Sequence, residues 1–165
     1  MSEIIGIRVA RLADLGALVT LYSAFRDSLQ KSTPSPEQFR DSLGRLLLLP
    51  ESRIYVAAAE RGDVGYAALR LLESAWSSRK EAMFEDLFVD SGSRGLGIGK
   101  QLVEFAIRDA AEHGCGSMFL DTNERNESSN ALYRRLGFTC ERARWGGGRQ
   151  IRYDLNIEPA KPCKG

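Results

Sequence analysis

The sequence predicts a mixed α/β protein in which helices cover both faces of one sheet. Two observations carry this. Seven short β-rich runs and four stretches with helical spacing alternate in the order β-α-α-β-β-β-α-β-α-β-β. One glycine-rich segment, "SRGLGIGK" at 93–100, lies where an apolar strand hands over to an amphipathic helix.

Each element has a local signature. "IIGIRVA" reads as a short opening strand. "LADLGALVTLYSAFRDSL" places Leu15, Leu18, Val19, Tyr22 and Phe25 on one helical stripe, with Asp14 as the expected N-cap. "TPSPEQFRDSLGRLLLL" reads as a proline-started second helix that stops before Pro50. "RIYVAAAE" and "VGYAALRLLE" flank "RGD", and Gly62-Asp63 is the expected hairpin tip. "EAMFEDLFVD" is a third apolar strand. A helix follows the glycines, with Ile98, Leu102, Val103, Ala106, Ile107 and Ala110 on one side. "GSMFLDT" is a continuous apolar run of the kind buried on both faces. "SSNALYRRLGF" is a short helix stopped by Gly137 at C′. "TCERARW" and "RQIRYDLNI" are the expected last two strands, around "GGG".

Bulk properties bound the function. The 165 residues fit one domain, expected over 1–158 with a short tail at 159–165. A net charge of +1 gives no general pull on nucleic acid or anionic membranes. The first residues lack a basic and then apolar leader, and the longest purely aliphatic stretch, Leu46 to Leu49, is far too short to span a membrane. Cys115, Cys140 and Cys163 are odd in number and far apart, against a disulfide framework or a zinc site, so no metal is expected. The expectation is a cytoplasmic protein.

The glycine segment suggests an anion site. Glycines free backbone N–H groups to converge, a helix start adds unpaired N–H groups and a positive dipole end, and Arg94 and Lys100 add charge. The plain alternative is a strand-to-helix turn with no ligand. A P-loop is excluded, because Arg94 stands at its first glycine and Gln101 at its Ser/Thr. A Rossmann fingerprint fails as well: counting from Gly95 or Gly97, the third glycine position falls on Lys100 or Leu102.

Arg-x-x-Gly-x-Gly at Arg94, Gly97 and Gly99, within "FEDLFVDSGSRGLGIGKQLVEFA", resembles the GNAT superfamily of acetyl-CoA-dependent N-acetyltransferases. "NESSNALYRRLGF" is similar to a second family signature, and the element order agrees from first strand to last. Ser91 stands where a proline is usual, which touches only the lead-in to the loop. The resemblance implies a mostly antiparallel sheet of about seven strands with about four helices. It implies acetyl-CoA as co-substrate. Leu87, Phe88 and Val89 would form a bulged strand end whose backbone pairs with the pantetheine arm. Arg94, Gly95, Leu96, Gly97, Ile98, Gly99 and Lys100 would hold the pyrophosphate. Asn126, with Ser129 nearby, would bind the pantetheine region, and Tyr133 would lie close to the thioester sulfur.

The chemistry asks for matching parts. An alkyl amine is mostly protonated at neutral pH and must lose a proton to attack a thioester. Glu85 is the expected base; adjacent strand positions send Glu85 and Asp86 to opposite faces, with Glu85 on the face of Leu87 unless a bulge intervenes. The departing thiolate needs a donor, which the Tyr133 hydroxyl supplies. Each assignment has a plainer competitor. Tyr133 could be an amphipathic core residue, Glu85 could face solvent or bind a cationic substrate, and Asn126 could only cap its helix. His113 closes a helix and receives no chemical role.

The implied acceptor is a small-molecule or peptide primary amine. "FEDLFV" looks like the matching stretch of polyamine acetyltransferases, and Glu73, Glu85, Asp86 and Asp90 would favour a cation. Trp76, in the connection "ESAWSSRKEA", is a candidate lining residue beside Glu85 and Asp86. A non-catalytic acyl-CoA sensor is the competing class. Nucleic-acid binding through "RRLGFTCERARWGGGRQIR" is disfavoured, because strand alternation splits those arginines between faces. "RYDLNI" offers an edge for a homodimer.

Overall fold

The computed structural model describes residues 6–141 and 154–156. The chain divides into two compact units, Met1–Thr122 and Asn123–Gly165.

The first unit is built on a five-stranded sheet in sequence order: β1 (Gly6–Val9), β2 (Ser52–Ala59), β3 (Gly62–Leu72), β4 (Lys80–Val89) and β5 (Cys115–Leu120). The first four strands are antiparallel neighbours, and β5 runs parallel to β4. A parallel step needs a crossover, supplied by α3 (Ile98–Glu112). The sheet is thus mixed and mostly antiparallel, as expected, with five strands rather than about seven among the described residues. The two strands expected at the end fall mostly on 142–153, outside the described residues.

The ladder decides which side chains share a face. Val56 lies opposite Tyr66, and Tyr66 opposite Phe88; Tyr55 lies opposite Ala67, and Ala67 opposite Leu87. The first row packs under α1 (Leu15–Ser28), with Leu43 of α2 (Pro36–Leu46) in the same buried cluster. The second row faces α3, where the ring of Tyr55 meets Phe105 at 5.3 Å. Helices therefore cover both faces of this unit. Burying each large apolar side chain, such as Leu18 or Leu102, stabilises by about 1.5–3 kcal/mol.

Local chemistry sets the helix starts. Ser35 caps α2 in a reciprocal capping box with Gln38, and Pro36 fits the first turn. Asp14 does occupy the N-cap of α1, but its carboxylate accepts from the Arg11 amide at 2.8 Å and from Arg8 at 2.8 Å instead of capping the helix. Three other expectations are corrected. The hairpin turn is Glu60-Arg61, because Ala59 already pairs with Gly62. β5 is not buried on both faces: Gly116 and Ser117 are exposed. Glu85 and Asp86 share a face, for a reason given below.

One buried ionic cluster anchors α3 to β2. Asp109 receives two bonds from Arg53, at 2.8 and 2.9 Å, and one from the Tyr55 hydroxyl at 2.7 Å. Burial pulls the Asp109 carboxyl upward, yet these donors hold it below the ordinary carboxylate range.

In the second unit, α4 (Glu127–Arg135) starts at Asn126 and ends in a left-handed turn at Gly137 with φ of 89°. The Phe138 amide donates to Tyr133 O at 3.0 Å and the Gly137 amide to Arg134 O at 3.1 Å, the paired bonds of a Schellman cap. Among the described residues no helix is long and apolar enough to cross a membrane.

Candidate active site

The site in the first unit begins with a β-bulge. Ala68 pairs with Asp86 while Leu69 pairs with Phe84, which leaves Glu85 as the extra residue of β4. The bulge cancels the alternation expected of adjacent residues. Asp86, opposite Ala68, joins the Tyr66–Phe88 face under α1. Glu85 pairs at 3.2 Å with Arg70, which belongs to that same face. The two carboxylates thus lie on one face, and Glu85 is not on the face of Leu87. The bulge also precedes Leu87, Phe88 and Val89, which were expected to form it.

Electrostatics around this pair are unbalanced. Asp86 has no ionic or hydrogen-bonding partner among the described residues, and burial, then the charge of Glu85, pushes its carboxyl above the usual range. Tyr22 stacks on Tyr66 at 4.0 Å. Burial, then Asp86 and Glu85, raises the Tyr22 hydroxyl far above its ordinary value. Tyr66 is fully buried and its hydroxyl, also pushed up by burial, has no geometrically sound hydrogen bond among the described residues. The other acidic candidates are elsewhere engaged: Glu73 pairs with Lys80 at 3.5 Å, and Asp90 accepts from the Gly92 amide at 3.3 Å. Trp76 is exposed between β3 and β4.

Beyond the bulge β4 has an open edge among the described residues. Its pairing with β5 ends at Phe84 opposite Leu120, so residues 85–89 have no strand on that side among the described residues. Leu87, Phe88 and Val89 keep their pairing to β3 and can offer backbone groups on the other edge.

Next comes the glycine loop. Gly95 and Gly97 have φ of 79° and 78°. A Cβ at either would meet nothing within 4 Å, so backbone conformation and not space demands glycine there. Gly97 is the N-cap of α3 and no side chain caps that end. The first intrahelical bond runs from Gln101 to Gly97 O, which leaves the amides of Ile98, Gly99 and Lys100 open. Leu96 is exposed at the loop tip. Arg94 folds back to donate to Val89 O at 3.0 Å, and Lys100 lies 3.5 Å from Glu104.

In the second unit, Asn126 accepts from the Ser129 amide at 3.3 Å, so it does cap α4. The Tyr133 ring meets Phe138 edge to face at 5.7 Å.

A model of the acetyltransferase (GNAT) family matches residues 18–138. The chain belongs to that family. GNAT acetyltransferases use acetyl-CoA, and several similar proteins are named as acetyltransferases. A streptothricin acetyltransferase of Streptomyces lavendulae is 39% identical over 53% of this chain, a match that spans only 45% of that protein. An uncharacterized N-acetyltransferase of Bacillus subtilis, YhfO, is 26% identical over 94% of this chain and 99% of its own length. The peptidyl-lysine N-acetyltransferase YjaB of Escherichia coli is 29% identical over 82% of each. Among solved structures, a probable acetyltransferase superposes with a TM-score of 0.81 at 25% identity, over 94% of this chain and 99% of that one. An aminoglycoside acetyltransferase from a soil metagenome shares the fold, with a TM-score of 0.77 at 22% identity over 93% and 97%.

Sequence reading missed Arg70, Tyr22 and Tyr66 as neighbours of the acidic pair. No signal in one sequence reveals a bulge, and without it the strand alternation places Glu85 away from all three.

Proposed function

We propose that this GNAT protein is an N-acetyltransferase that moves the acetyl group of acetyl-CoA to a primary amine by direct attack on the thioester. The observation that carries the reading is the β4 edge beyond Phe84, open among the described residues and followed by an uncapped helix start with two left-handed glycines. The edge suits the amide-rich pantetheine arm through Leu87, Phe88 and Val89. The glycine loop, 94–100, suits the pyrophosphate. Asn126 and Ser129 contribute to the pantetheine region.

In the reaction the neutral amine attacks the acetyl carbon, a C–N bond forms and the C–S bond breaks. Glu85 takes the proton from the amine, directly or through water, and Tyr133 donates a proton to the departing thiolate. Backbone N–H groups near the bulge stabilise the developing oxyanion.

The acceptor in this proposal is cationic before it reacts. Among the described residues Asp86 is half-buried without a counter-charge and only Arg70 offsets Glu85, so their charges leave this face net negative, which an ammonium would balance. A polyamine-like or lysine-like amine fits that field, with Trp76 at its rim. The proposal extends to a cytoplasmic homodimer paired through 152–157, a segment half of which lies outside the described residues.

The test is release of free thiol from acetyl-CoA with a panel of polyamines, aminoglycosides, amino acids and basic peptides. Turnover with a cationic amine supports the reading. No thiol release with any member, despite CoA binding, overturns it.

A further inference from the structure

We propose that Arg61, at the tip of the β2–β3 hairpin, is a positioning residue for the phosphate loop. The proposal rests on the assignment of residues 94–100 to the pyrophosphate of the co-substrate.

Arg61 is an exposed turn residue, yet its guanidinium reaches across to the segment that follows β4. One terminal nitrogen donates to Gly92 O at 2.6 Å and to Ser93 Oγ at 2.9 Å. Ser93 is fully buried although it is polar, and Arg61 is the side-chain partner of its hydroxyl. The same turn, Ser91–Ser93, is held from its other end by Asp90, which accepts from the Gly92 amide and whose own amide donates to Val64 O at 2.8 Å. Arg94 then ties the exit of the turn to Val89 O. The turn is therefore clamped on both sides just before the two left-handed glycines that aim the helix start.

Without Arg61 the bonds to Gly92 and Ser93 are lost and a buried hydroxyl loses its donor. The loop entering Gly95 and Gly97 then gains freedom that phosphate binding must remove, and affinity falls in proportion. Charge adds to this effect. Neither Arg61 nor Arg94 has a carboxylate within salt-bridge distance among the described residues, so both guanidinium groups beside the loop can still turn toward a dianionic ligand. The contribution acts through the loop, so it should be felt only by the phosphate-bearing half of the co-substrate.

The experiment is calorimetric titration of the full chain and its Arg61→Ala and Arg61→Lys variants with CoA. Parallel titrations use pantetheine, which carries the arm without the phosphates. Unfolding temperatures of all three proteins are recorded alongside. The proposal expects Arg61→Ala to weaken CoA about 10-fold and to leave pantetheine unchanged. It expects Arg61→Lys, which keeps a cationic donor, to recover most of the loss. Equal weakening of both ligands, or CoA affinity in Arg61→Ala equal to the parent's, overturns it. If the parent itself binds CoA no better than pantetheine, the phosphate-loop assignment fails and the proposal falls with it, a result distinct from the other two.

Discussion

The rings of Tyr133 and Phe138 meet edge to face, with centroids 5.7 Å apart and planes at 65°. The contact follows from the helix ending. Gly137 at φ 89° reverses the chain, and the Phe138 amide bonds back to Tyr133 O, so the same residue that caps α4 also presses on the ring of the proposed acid. Phe138→Ala should therefore lower turnover several-fold while CoA affinity stays unchanged. In a Tyr133→Phe background the same change should have no further effect on rate, because the hydroxyl it positions is already gone. Steady-state kinetics of the two single variants and the double variant check this. Gly137→Ala should lose about 1–2 kcal/mol by urea unfolding, since alanine resists the left-handed conformation.

The carboxylates of the bulge predict a trade of stability against function. Burial and Glu85 raise the Asp86 carboxyl, so the native state holds that proton more tightly than the unfolded chain. The sign follows: Asp86 contributes stability below its unfolded pKa and loses it as pH rises through the folded one. Asp86→Asn should raise the unfolding temperature at pH 7, with the gain shrinking toward pH 4, and should weaken a cationic acceptor. Thermal unfolding against pH, with acceptor KM, tests both halves. Glu85→Gln should instead lower kcat on the order of 10²-fold and leave CoA affinity alone.

Gly97→Ala isolates the loop. Space is open around a Cβ there, so the cost is conformational, about 1–2 kcal/mol, and falls on the residue that starts α3. Weaker CoA binding at an almost unchanged fold is the expected outcome, read by titration and circular dichroism.

The Asp109 cluster predicts acid sensitivity. Arg53 and Tyr55 hold this carboxyl low, so its stabilisation is present above the unfolded pKa of about 3.9 and is lost as pH falls through the folded value. Asp109→Asn should cost about 3 kcal/mol at pH 7, because it strands Arg53, and should flatten the stability curve below pH 4. Urea unfolding across pH measures it.

Much of the fold was legible because periodicity is local. The helical stripes of α1 and α3, the Gly137 stop and the glycine loop each announce themselves within a few residues. Several of the misses depend on which residues pair, and no single segment records that. That Glu60-Arg61 and not Gly62-Asp63 makes the turn is fixed by the Ala59–Gly62 pair. That Glu85 joins Asp86, Tyr22 and Arg70 is fixed by one extra residue in β4, and no pattern within β4 records which residue β3 skips. Asp109 reads as one more helix charge until Arg53 and Tyr55 are brought against it from β2.

The central claim is transfer of an acetyl group with Tyr133 as proton donor. Thiol release from acetyl-CoA, followed with the best amine of the panel for the parent and Tyr133→Phe, tests it most directly. The account predicts a fall in kcat on the order of 10²-fold with CoA affinity unchanged. Undiminished turnover in Tyr133→Phe would contradict it.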